Sequence, residues 1–145
     1  MSNFIYTSGL NNVGSYQVSG VPFCSGGIDV EAAGPDGMKI EFPYVTSWVM
    51  VMNDTTGSSY VSNKLSIGFS QDGVKDLNKT LLTNPQNNPQ SRVRTNVWHL
   101  KITELWLSGT CNEVSIVAGL TNIPVGRVTA ASPSGSSWSG SIGVG

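Results

Sequence analysis

The chain has 145 residues, a formal net charge of −1, 39% hydrophobic and 12% charged residues. The length suits one domain with a real core, while the charge share is about half that of an ordinary soluble domain. Neutral balance offers no basic field for nucleic acid. No run nears the ~18 apolar residues of a membrane-spanning helix, and the apolar content is too high for a disordered tail.

In chain order, Met1 to Gly9 lacks a basic region and a long apolar core, so a signal peptide is not expected. Residues 16–22 alternate weakly and predict a short strand, and Ile28, Val30 and Ala32 predict another more clearly. Gly34-Pro35-Asp36-Gly37 is a turn, because Pro presets φ and Gly tolerates positive φ. Lys39-Ile40-Glu41-Phe42 alternates, with Met38, Ile40 and Phe42 on one side, and Pro43 interrupts the ladder.

Tyr44 to Asn53 holds most of the strongest strand formers in the chain. Val45, Val49 and Val51 form one apolar face, with the small Ser47 between them, and Trp48, Met50 and Met52 form a second. A half-exposed strand alternates apolar with polar, so this pattern predicts a central strand with both faces covered. Leu65 to Phe69 is the next strand, and Gln71-Asp72-Gly73 turns it. Residues 74–83 fit a strand better than a helical turn, and 84–90, with two prolines and three asparagines, is an exposed loop. From Arg92 to Ser108 the apolar phase changes, from Trp98, Leu100 and Ile102 to Leu105 and Leu107. Such a change requires a bulge or break near Thr103-Glu104, and it leaves Trp106 facing away from its leucine neighbours. Glu113 to Ala118 is the last clear strand, and no segment carries a capped amphipathic helix.

Short strands at near-regular spacing predict an all-β protein, a single antiparallel β-sandwich or jelly roll with extended N- and C-terminal segments. Residues 1–37 read as an extended segment with short strands, 38–124 as the sandwich core, and 125–145 as a Ser/Gly-rich tail or arm anchored by Trp138.

Chemistry is harder to find. His99 is the only histidine and has no predictable nucleophile or carboxylate beside it, so no catalytic residue is assigned. One His with two distant Cys does not make a zinc site. Asp36, Asp54 and Asp72 sit in turns, where backbone hydrogen bonding accounts for them better than calcium does. Cys24 and Cys111 read as buried free thiols rather than a disulfide. No cofactor is expected. Trp48, Trp98 and Trp106 read as core or interface residues rather than sugar-stacking rings, and Tyr60 and Trp138 have no aromatic neighbour to complete a platform.

In combination the motifs say more. Lys39-Ile-Glu-Phe-Pro-Tyr-Val-Thr-Ser-Trp48, Leu65-Ser-Ile-Gly-Phe-Ser-Gln-Asp-Gly-Val74, Leu105-Trp-Leu-Ser108 and Ser115-Ile-Val-Ala-Gly-Leu-Thr-Asn-Ile-Pro124 follow one another in order. The series resembles the small jelly-roll capsid decoration, or cement, and minor head proteins of tailed bacteriophages, over residues 38–124. The resemblance implies a non-enzymatic virion structural protein made in the host cytoplasm, which binds the outer head surface and stabilises the shell. The major capsid protein and copies of itself would be its partners, as a trimer or else a dimer, with no role for nucleic acid or membrane. Trp48, Met50, Met52 and Trp106 are the expected oligomer or capsid contacts, with Trp138 in the arm. The alternative is a carbohydrate-binding β-sandwich, a host-adhesion or enzyme-associated module, which requires at least two aromatic rings exposed on one face.

Overall fold

A computed structural model describes residues 20–55, 64–75, 79–83 and 92–125. Eight strands are arranged as β1 (Val21–Ile28), β2 (Met38–Glu41), β3 (Tyr44–Asn53), β4 (Lys64–Gly68), β5 (Lys79–Thr83), β6 (Val93–Arg94), β7 (Glu104–Gly109) and β8 (Val114–Pro124). They form two four-stranded antiparallel sheets, one in the order β1-β8-β3-β6 and the other β2-β7-β4-β5. The protein is an all-β sandwich. Strand β1 pairs with β8, β2 with β7, β3 with β6 and β4 with β5. The chain is thus one long antiparallel hairpin, rolled until β3 meets β8 and β4 meets β7.

The core lies between the sheets. Val49 and Val51 of β3 and Ile116, Ala118 and Leu120 of β8 face Leu65 and Ile67 of β4 and Leu105 and Leu107 of β7, all buried. Phe23 and Phe42 meet edge to face at 5.1 Å, and Phe69 and Trp98 at 6.5 Å, both pairs against this core. Over residues 49–53, 65–67, 105–107 and 114–118 buried residues alternate with more exposed ones, so period 2 did specify these inward faces.

Several expectations need correction. The sandwich includes Val21–Ile28, well before residue 38, because β1 is a full member of the first sheet. The strand expected over 16–22 starts at Val21, and residues 16–19 lie outside the described residues. No strand runs from Ile28 to Ala32. The backbone N–H groups of Val30 and Glu31 both donate to Cys111 O, Ala32 N–H donates to Asp29 Oδ1 at 3.1 Å, and a 3₁₀ segment follows over Glu31–Asp36. A short polar side chain has offered the backbone a turn in place of a ladder.

The face expected from Val45, Val49 and Val51 is also interrupted. Thr46 pairs with Leu120 and Trp48 with Gly119, so Ser47 is an extra residue in β3. Thr46, not Val45, therefore stands with the core-facing Leu120, and Val45 is buried apart from the main cluster. The Thr46 hydroxyl tolerates that place because it donates to Leu100 O at 2.6 Å and accepts from Ile102 N–H at 3.1 Å. The phase change near Thr103-Glu104 is a break, as expected, and its cause is a change of sheet. Val93 to Ile102 runs beside β3, through Thr95, Trp98 and Ile102, and the chain then enters the second sheet as β7.

Residues 71–83 hold both a helical turn and a strand. Helix α1 (Gln71–Lys75) is capped by Ser70, whose Oγ accepts from Gly73 N–H at 2.9 Å, and β5 follows. Val74 of α1 is buried outside the main core, in a niche of small residues. A Cβ on Gly68 would lie 2.9 Å from Val74 N, and one on Gly37 would lie 3.1 Å from Val74 Cγ1. The Lys75–Asp36 ion pair at 2.9 Å ties α1 to the 3₁₀ segment.

Candidate interaction surfaces

The rolled hairpin puts the predicted contact residues on different sides of the molecule. On β3, Trp48, Met50 and Met52 alternate with buried Val49 and Val51, so they form the outer face of the first sheet, and all three are half-buried. Trp106 alternates with buried Leu105 and Leu107 on β7 and belongs to the outer face of the second sheet. One flat contact cannot hold both sets. Trp138 lies outside the described residues.

Around Met50 the outer face of the first sheet is apolar. Met50 stands opposite Val117 of β8, which stands opposite Cys24 of β1. Trp48 and Pro22 flank Gly119, which is buried although it brings no side chain of its own. On the far side of Met50, Thr95 bonds Val51 and Trp98 bonds Val49, so Asn96 and Val97 share the place of one residue, and Val97 is 46% exposed. The polar groups collect at one end. Arg94 faces Met52, Ser115 Oγ donates to Asp54 Oδ2 at 2.9 Å, and Arg92 Nε lies 3.9 Å from Asp54 Oδ1. An apolar centre with charge confined to its rim is the anatomy of a protein contact surface.

The other face differs in kind. Lys39 Nζ lies 2.7 Å from Glu41 and 3.0 Å from Glu104, and Trp106 Nε1 donates to Glu104 Oε1 at 3.4 Å. Part of this face is covered by α1, through Val74 on Gly68 and Gly37. Trp106 is accordingly a residue of the polar, partly self-covered part of this surface, which strand alternation by itself does not reveal.

Neither cysteine is in a disulfide, but only Cys111 is buried; Cys24 is exposed, contrary to the paired-burial expectation. It stands on an edge strand, opposite Val117 on the outward side. Cys111 instead closes the end of the sandwich. Asn53 Nδ2 donates to its Sγ at 3.2 Å, Asn53 Oδ1 accepts from Thr55 N–H at 3.2 Å, and Thr55 Oγ1 accepts from Glu113 N–H at 3.1 Å. Burial pushes the Cys111 thiol above its ordinary value of 9.0, and hydrogen bonds to Glu41 and then Glu104 raise the Lys39 ammonium above 10.5. A group whose folded value is raised stabilises fully below its unfolded value and loses that contribution as pH climbs through the folded one. Stability should therefore hold through neutral pH and decline in two stages, beginning above pH 9.0 for the thiol and above 10.5 for Lys39. Urea midpoints measured across that range check this, and Cys111→Ala should remove the first stage of the slope.

Among the described residues, no group of three or more His, Cys, Asp or Glu is placed to hold a metal, and no helix is long and apolar enough to cross a membrane. His99 is exposed. No protein-family model, curated protein or solved structure matches the chain.

Proposed function

We propose that the protein is a non-enzymatic structural component of a phage virion, a decoration protein that binds the outer surface of an assembled capsid and reinforces it. The observation that carries this proposal is the apolar belt of Pro22, Cys24, Val117, Trp48, Met50 and Met52 across three strands of one sheet, with its charges at one end. A strand order of β1-β8-β3-β6 facing β2-β7-β4-β5 also supports a jelly roll, a double-sheet architecture used by viral capsid proteins and by lectins alike. Topology therefore does not choose between capsid and carbohydrate. The surface favours capsid. Among the described residues, Trp48 and Trp106 lie on opposite outer faces, Phe23, Phe42, Phe69 and Trp98 pack on the core, and Tyr44 is the one exposed Phe, Tyr or Trp ring, so the described rings do not make a sugar platform.

The mechanism is area burial on a lattice. At about 25 cal/mol per Å², some 1,000 Å² of contact gives roughly 25 kcal/mol gross, most of it offset by the cost of ordering. A small surplus per copy, repeated over a shell, stiffens it. Mixing the purified protein with undecorated shells and imaging them by electron microscopy tests the idea. Ordered density on the outer surface is expected, and bare shells at saturating protein would reject it.

A further inference from the structure

The sandwich of described strands has four sheet edges, and three of them are blunted. Strand β1 contains Pro22, which cannot donate, and a register shift between Ser25 and Ile28 where Gly27 takes φ 64°. Strand β6 is two residues long and runs into the Asn96–Val97 irregularity. Strand β2 is four residues long, carries Lys39 and Glu41, and ends before Pro43. Bulges, prolines, charges and shortness are the devices that keep edges from pairing with other chains.

Strand β5 has almost none of these. Its five residues, Lys-Thr-Leu-Leu-Thr, pair with β4 in unbroken register from Lys64↔Thr83 to Gly68↔Lys79. It contains no Pro and no Gly, and its one charge, Lys79 Nζ, is drawn back to Lys75 O at 3.4 Å. Leu81, opposite Ser66, is 59% exposed, the most exposed large hydrophobic residue described. Among the described residues no strand pairs with the outer edge of β5, and an edge of strand-forming residues with an apolar side chain at its centre is suited to accept another strand.

We propose that β5 pairs with β5 of a second copy of this chain, antiparallel about a two-fold axis through Leu81. Strands related by a two-fold perpendicular to the sheet must place residues of like parity opposite one another, because directly paired side chains point to the same face. Only the axis through Leu81 then gives every residue of the strand a partner: Leu81 against Leu81, Thr80 against Leu82, and Lys79 against Thr83. This register covers the exposed leucine with its own twin. It also keeps the two lysines at opposite ends of the contact, so that no like charges meet. The second sheets of two subunits become one eight-stranded sheet, and the apolar belts on the first sheets stay free for a different partner. Of the trimer and dimer, this contact selects the dimer, and it holds whether or not the copies meet on a shell.

A five-residue pairing is much smaller than the roughly 1,200–2,000 Å² of a stable dimer, so Kd should be on the order of 100 µM. The test is cysteine crosslinking in a Cys24→Ser background. Diamide, as the two-electron oxidant, takes two protons and two electrons from a pair of thiols to leave one disulfide. Directly opposed residues have Cα atoms about 4.5–5.5 Å apart, within disulfide range. Leu81→Cys should give a covalent dimer at least about ten times faster than Lys79→Cys, whose twin lies at the far end of the register. Sedimentation should show the mass of the unmodified protein rising with concentration, and Leu81→Lys, with its circular dichroism unchanged, should stay monomeric. Equal crosslinking rates, or a monomer at 1 mM (roughly ten times the expected Kd), would overturn the proposal. A monomer whose shell occupancy nevertheless falls with Leu81→Lys would also overturn it, by giving the edge to a capsid strand instead.

Discussion

Replacing Gly109 with alanine should cost about 3–5 kcal/mol and lower the melting temperature by about 10–20 °C. Gly109 ends β7 at φ 150°, opposite Leu65 of β4, and an added Cβ would overlap the Lys64 carbonyl oxygen. That oxygen is backbone, so no side chain can swing away to make room. It also accepts the Thr110 N–H at 3.3 Å, so relieving the overlap opens the β4–β7 seam beside buried Leu65 and Leu107. Because domains are stable by only about 5–15 kcal/mol, such a loss is a large share of the whole. Gly27 separates the two contributions. It takes φ 64° with nothing within 4 Å of where a Cβ would be, so Gly27→Ala carries conformational strain alone and should cost about 1 kcal/mol. Thermal and urea unfolding of both variants measure the difference. If Gly109→Ala melts within a few degrees of Gly27→Ala, the backbone clash is not what fixes glycine at that site.

Much of the architecture was legible because two-fold alternation reports on a strand without knowledge of its partner. Tyr44 to Asn53, Leu65 to Phe69 and Glu113 to Ala118 lie in strands, apart from Phe69, which follows β4, and Glu113, which precedes β8. What alternation cannot report is a residue inserted by a distant neighbour. Thr46 faces inward because its hydroxyl serves Leu100 and Ile102, more than fifty positions later, and nothing near Val45-Thr46-Ser47 announces this. Helix α1 is too short to show a 3.6-residue period, and its niche exists because Gly37, which follows the 3₁₀ segment, comes together with Gly68 at the end of β4. The phase change near Thr103 was visible, but its cause was not, since a change of sheet and a bulge leave the same local trace. For the contact residues the limit was similar. The second apolar face of β3 was readable from Trp48, Met50 and Met52, whereas the separation of Trp106 from them depends on which sheet β7 joins.

Converting the centre of the apolar belt to charge should abolish shell binding and spare the fold. Met50 and Met52 are half-buried and point away from the Val49 and Val51 side of β3, so Met50→Glu with Met52→Glu should change unfolding free energy by only about 1 kcal/mol. Arg94, opposite Met52, gives one of the new carboxylates a cationic neighbour within the subunit. At a contact the outcome differs, because both carboxylates must be dried without a partner. Central contact residues typically contribute 2 kcal/mol or more, and two such losses predict occupancy reduced about 100-fold or beyond. Lys64→Glu supplies the comparison: it also changes charge, on an exposed strand position of the opposite sheet, and should leave occupancy within about two-fold. Binding of each variant to undecorated shells, measured by co-sedimentation over a concentration series, distinguishes the faces. Wild-type occupancy by the doubly charged protein would remove the first sheet from the contact. Equal loss with Lys64→Glu would point to a general response to charge, in which no particular face is recognised. Only a selective loss ties shell binding to β3, whose inner apolar face the sandwich buries and whose outer one it leaves half covered.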